Sequence, residues 1–205
     1  MKITVTGSSR VKVPAECAQV AFGVSRRGGD HDTVIAEVSA VAQEVRALLS
    51  ELTPDDDGDQ AHLSGLRTWT DFPHGEEPVH VAQMDGSVMV WELSELGVFL
   101  ARLGTVDGAT VDSVQWKLTR NTRDAVEPEA IQDAFQDARQ RARWIASAAG
   151  RQGFEVVSVT DGGGEPGYHF KAAYMRDGGA PSLDLDPVDV EISASLTVVF
   201  EDGHP

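Results

Sequence analysis

The run Gly162-Gly163-Gly164-Glu165-Pro166-Gly167 has the G-x-G-x-x-G spacing of a dinucleotide-binding turn, and it follows a segment, Phe154 to Thr160, that reads as a strand. That chemistry needs a helix N-terminus directly behind the glycines, because its free N–H groups hold the pyrophosphate. Pro166 and Tyr168-His169-Phe170 do not open such a helix, so the run reads as a loop. Asp55, Asp57 and Gly58 fall at the third, fifth and sixth places of a calcium loop, whose carboxylates must converge on a hard cation. Thr53 stands at the first place and Ser64 at the twelfth, where a bidentate Glu is needed, so an acidic turn is the better reading.

Six histidines (His31, His62, His74, His80, His169 and His204) are scattered, with no pair at the i, i+4 spacing that puts two imidazoles on one helical face for zinc. His80 could meet His62 or His74 only across paired strands. A Ser–His–Asp set converges only in three dimensions, and there is no G-x-S-x-G elbow. Cys17 has no catalytic signature around it and reads as a small packing residue, with a redox-sensing thiol as the alternative. We therefore assign no catalytic, cofactor-binding or metal-binding residue. Trp69, Trp91 and Trp116 fall on strands and Trp144 on a helix, where they fill a core or an interface.

Thirty-three acidic against seventeen basic residues give this 205-residue chain a formal charge of −16, which repels nucleic acid and anionic lipid. A single cysteine excludes an internal disulfide framework and any Cys-based zinc cluster. The opening Met1-Lys2-Ile3-Thr4-Val5-Thr6 alternates instead of forming a charged patch and an apolar run, and no segment approaches the length of a membrane span. The expectation is a cytoplasmic protein without a membrane span.

The elements that must position these residues follow from period. Ile3, Val5, Val11 and Val13, then Ala18, Val20, Phe22 and Val24, alternate as strands about a turn. From Asp30, with Asp30 or Asp32 placed to cap the first turn, Val34, Val38, Val41, Val45, Leu48 and Leu52 mark a long helix ending before Pro54. Leu63 to Phe72, Val79 to Gln83 and Ser87 to Trp91 read as a meander broken at Gly, Pro and Asp. Ser94 caps a short helix with Leu96, Phe99, Leu100 and Leu103 on one face and Gly104 beyond its end. Val114, Trp116 and Leu118 form a strand. Pro128 opens a second long helix with Ile131, Phe135, Ala138, Ala142, Ile145 and Ala149 as its stripe, closed by Gly150.

Asp161 to Pro187 reads as a long loop, and a loop of this length suits a lid over a pocket, with Tyr168, His169 and Tyr174 as its polar groups. The last strand places Val188, Val190, Ile192, Ala194, Leu196, Val198 and Phe200 on one face. Asp189, Glu191, Ser193, Ser195, Thr197 and Glu201 lie on the other, where the uncharged middle suits docking to a neighbour. The order predicts an α+β domain, antiparallel sheet with two long amphipathic helices and one short helix packed on one face. It is one domain over 1–205, or two strand–helix–strand subunits of about 1–92 and 93–205.

Three stretches carry a resemblance: Ile3-Thr4-Val5-Thr6-Gly7 leading to Val13-Pro14-Ala15-Glu16-Cys17-Ala18, the Ala-rich run Asp133 to Gly150, and Val190 to Glu201. In order and spacing they resemble the SIMPL-domain family, which includes bacterial periplasmic immunogenic proteins. The resemblance implies an α+β fold, no established enzymatic activity, ring- or channel-like homo-oligomers in some members, and links to oxidative stress and to adaptor roles. It carries no catalytic residues. Glu16-Cys17 departs from the family's Asp and its neighbour, and family members are often periplasmic or secreted. The resulting expectation is a non-enzymatic, self-assembling or protein-interaction module, with a small-ligand binder or hydrolase using a pocket under the 161–187 loop as the alternative.

Overall fold

The structure, a computed structural model, describes residues 1–52, 61–75, 77–162 and 185–201. Its elements run β1 (Lys2–Val13), β2 (Cys17–Gly28), α1 (His31–Leu52), β3 (Ala61–Leu63), β4 (Arg67–Asp71), β5 (Val79–Val90), α2 (Leu93–Leu103), β6 (Ala109–Lys117), α3 (Arg120–Ala148), β7 (Glu155–Asp161) and β8 (Val190–Glu201). The α+β class with antiparallel sheets, two long helices and one short one is as expected. The chain's contacts fall into two compact units.

One unit holds β1, α3, β7 and β8, with the strands ordered β1-β8-β7. The alternation read in the sequence sets its register, unbroken from Lys2↔Glu201 to Val13↔Val190. Ile3, Val5, Leu196, Val198 and Phe200 turn to one face and are buried there. α3 lies on that face, against β1 and β8.

This helix differs from expectation twice. It begins at Arg120, capped by Thr119, whose hydroxyl accepts the Thr122 N–H, and Pro128 sits inside it. An interior proline removes one backbone bond but already has a helical φ, so a good cap upstream outweighs it here. Its buried stripe is Ala130, Ala134, Ala138, Ala142 and Ala146, while Ile131 and Ile145 are exposed on its flanks. The cause is Gly7. A Cβ there would collide with the Ala134 carbonyl and the Ala138 N and lie 2.8 Å from the Ala138 Cβ, so helix and strand meet backbone to backbone. Only methyl groups fit in that gap.

Polar ties reinforce the contact. The Ser8 N–H donates to Asp137 Oδ2 (3.0 Å), Arg141 donates to the Thr6 carbonyl (2.6 Å), and the Ser9 hydroxyl donates to the Ala130 carbonyl (2.6 Å). Thr6 and Ser8 have the same parity, so Asp137 and Arg141 cover the edge of β1 that faces away from β8.

The stretch Glu16–Lys117 makes up most of the other unit. β2 is central, with β5 on one side and β6 on the other, and β3 and β4 both pair with β5. Val20↔Val88 and Val20↔Val114, Ala18↔Val90 and Ala18↔Trp116, and Val24↔Met84 build one apolar face. α1 and α2 cover it with Val34, Val38, Val41, Ala42, Val45 and Leu49 and with Leu96, Phe99, Leu100 and Leu103. Of the two candidate caps of α1 it is Asp30 that accepts the Thr33 N–H, at 2.8 Å. α2 starts one residue before Ser94, at Leu93, with Glu92 as its cap residue.

The expected break at Asp85-Gly86 is absent, and β5 runs through it. A Cβ on Gly86 would strike the ring of Phe22, so this glycine provides the bare backbone on which that ring packs.

Candidate functional site

The sequence candidates disperse. Cys17 is fully buried at the start of β2 and behaves as a packing residue. Asp55, Asp57, Gly58, Gly163 to Gly167, Tyr168, His169, Tyr174 and His204 lie outside the described residues, and so does most of the 161–187 loop. His80 meets neither His62 nor His74. Its ring packs edge-on against His31 at 5.6 Å, and its Nδ1 is 3.0 Å from the Thr70 hydroxyl. His31 Nδ1 is 3.1 Å from Asp32 at the start of α1. Among the described residues no three or more His, Cys, Asp or Glu side chains converge for a metal. Of the four tryptophans only Trp116 is buried.

A cleft of about 300 Å³ opens between α1 and α2, lined by Leu48, Leu52, Val98 and Phe99 and rimmed by Glu51 and Arg102. The guanidinium grips both carboxylate oxygens, at 2.6 and 3.1 Å. That hydrogen bonding and the opposite charge lower the Glu51 pKa and raise that of Arg102. The cleft, whose lining also includes Ser94 and Glu95, can take a small apolar group, and its cation is already occupied by Glu51.

The face of the larger sheet opposite α1 and α2 is polar. Gly23 lies between Asp85 of β5 and Thr110 of β6, and a bulge at Ala21/Phe22 brings Asp112 to the same place. The Asp112 carboxylate is 3.7 Å, and the Thr110 hydroxyl 3.2 Å, from the Cβ that Gly23 lacks. Burial, then the neighbouring Asp85 charge, pushes the Asp112 pKa up against the pull of a hydrogen bond from Thr110. Asp85 accepts hydrogen bonds from Arg67 and from the Gln83 amide, the latter at 2.6 Å.

The third feature is β7. Among the described residues it pairs only with β8, and α3 lies on β1 and β8. A bulge between Val156 and Ser158 resets its alternation, so Val156 (opposite Phe200) and Val159 (opposite Val198) share the α3-bearing face. They are 47% and 49% exposed, and Val157 at the bulge is 55% exposed. These three half-exposed valines make β7 an exposed apolar stretch among the described residues. The adjacent pair Val156-Val157, which breaks the alternation, was the signal for it in the sequence.

The docking strip expected on β8 takes a different form. Thr197, Ser195 and Ser193 pair with Thr6, Ser8 and Arg10 of β1, and Glu191 forms an ion pair with Arg10 at 3.5 Å. The strip is therefore part of a two-strand polar face.

The family model for SIMPL, described as a protein of unknown function (DUF541), matches residues 3–200. No curated protein matches the chain. No helix among the described residues is long and apolar enough to cross a membrane.

Proposed function

Because this chain belongs to the SIMPL family, whose function is unknown, we propose its role from its own surface: a non-enzymatic assembly module that joins a second copy of itself through β7. The observation that carries this reading is the bulge. It places Val156 and Val159 on one face, so a two-fold axis normal to the sheet sets each Val156 opposite the copy's Val159 and each Glu155 opposite the copy's Thr160. Four valines then form one patch, the strand edges exchange hydrogen bonds, and no carboxylates face each other. A register centred on Ser158 would oppose Glu155 to Asp161 and is disfavoured.

Native mass at low micromolar concentration tests the reading. A dimer or larger assembly is expected, and Val156→Lys with Val159→Lys should leave a folded monomer, since both side chains are half exposed. A wild-type chain that stays monomeric defeats it. The alternative of a hydrolase or small-ligand pocket under the 161–187 loop falls mostly on residues outside those described.

A further inference from the structure

We infer that the face of the larger sheet opposite α1 and α2, between Trp69 and Asp112, binds a neutral saccharide. The face presents a sequence of surfaces suited to one. First comes an aromatic plate: Trp69 is 43% exposed, and its indole N–H donates to Asp71 Oδ1 at 3.1 Å while Asp71 Oδ2 accepts from Arg27 at 2.7 Å. The ring is thus held in place with apolar surface open to water, and holding it in advance lowers the entropic cost of binding.

Next comes a fixed donor–acceptor set. Arg67 is paired in register with Gln83, and both donate to the Asp85 carboxylate, one to each oxygen. The Ser64 hydroxyl accepts the Asp85 N–H at 2.8 Å, and the Ser64 N–H donates to the Asp85 carbonyl at 2.7 Å. The carboxylate is therefore anchored from both its side chain and its backbone.

Last come Thr110 and Asp112, whose oxygens lie over the buried Gly23, 3.2 and 3.7 Å from the Cβ it lacks. The levels of Trp69 and Gly23 are set by Val81 and Asp85 of β5, four residues or about 13 Å apart along the strand.

A pyranose has a C–H face that lies against an indole, and vicinal hydroxyls that each donate and accept. A mixed row of carboxylates, an amide, a guanidinium and a hydroxyl meets both demands. The alternatives fit less well. An anion would meet Asp85 and Asp112 on a chain of charge −16, and a cation would meet the guanidinia of Arg67 and Arg27. The distance from Trp69 to the level of Gly23 calls for an oligosaccharide rather than a single ring. No residue of β7 takes part, so this site stands or falls independently of the assembly proposed above.

The test is calorimetric titration of the intact chain with maltoheptaose, cellohexaose and chitohexaose, each taken to millimolar concentration. Saturable binding of at least one is expected. Trp69→Ala should weaken it about tenfold or more, Asp85→Asn should also weaken it, and Trp144→Ala should leave it unchanged. Trp69 lies on a short strand with its side chain half in solvent, so its loss spares the core, and a thermal melt of the variant confirms this. Failure of all three sugars to bind, or equal binding by the Trp69 variant, overturns the inference.

Discussion

α3 and α1 both cover a sheet, but by opposite means. α3 rests five alanines on a strand whose facing residue is Gly7, and supplements the small apolar area with Asp137, Arg141 and the Ser9 hydroxyl. α1 rests valines and a leucine on Val20, Phe22, Val24, Met84 and Val88, with the volume of the side chains separating the backbones. The first contact is limited by steric exclusion and the second by cavity formation. An added atom should therefore harm the first most, and a removed atom the second.

The strongest way to break the comparison is Gly7→Val. Three added carbons have nowhere to go between two backbones, so a loss of about 3 kcal/mol or more is expected, read as a lowered denaturation midpoint or as a failure to fold. A variant that melts with the wild type would show that α3 can lift off the sheet, and the contrast would fail.

Next in size is Phe22→Ala, which empties the centre of the other core at about 3 to 5 kcal/mol. The contrast sharpens if Gly86→Ala, harmful alone because its Cβ meets the Phe22 ring, is partly rescued in the Phe22→Leu background. Additive effects would mean that ring and glycine do not share that space.

The smallest effects are electrostatic and have opposite signs. The folded state raises the Asp112 pKa, so the charged carboxyl opposes folding at neutral pH and the fold gains stability as the pH falls through that raised value. Asp112→Asn should be more stable than the parent at neutral pH, with the difference shrinking in acid. The Asp30 pKa is lowered, by the Thr33 side chain first and the Thr33 backbone second. Its contribution is present above the ordinary carboxylate range and lost as the pH falls through the lowered value. Urea melts across that range separate the two, and a stabilising Asp30→Ala would contradict the cap.

Sequence period revealed what large residues mark. The β1 and β8 alternation, the Asp30 cap, and the faces of α1 and α2 were legible because valine, leucine and phenylalanine carry strong apolar signal at regular steps. The face of α3 was legible only in part, at Ala138 and Ala142, because alanine is nearly neutral and Ile131 and Ile145, which lie on opposite flanks of the alanine row, join the stripe that the sequence suggests. Gly86 looked like a break because a glycine reads alike whether it ends a strand or receives a ring. The shared face of Val156 and Val159 depends on a bulge, which is a property of pairing with β8 and not of seven consecutive residues. The row from Trp69 to Asp112 draws on four strands, and no local spacing announces it.

The pairing of Lys2 with Glu201 joins the first strand made to the last. At the usual pace of translation, β1 leaves the ribosome roughly 10 to 40 s before β8 exists to receive it. Glu16–Lys117 is continuous and has all its strands in hand well before then. The backbone edge of β1 that pairs with β8 thus waits longer for its partner than that of any other strand pair described, although α3, made earlier, can already cover its apolar side.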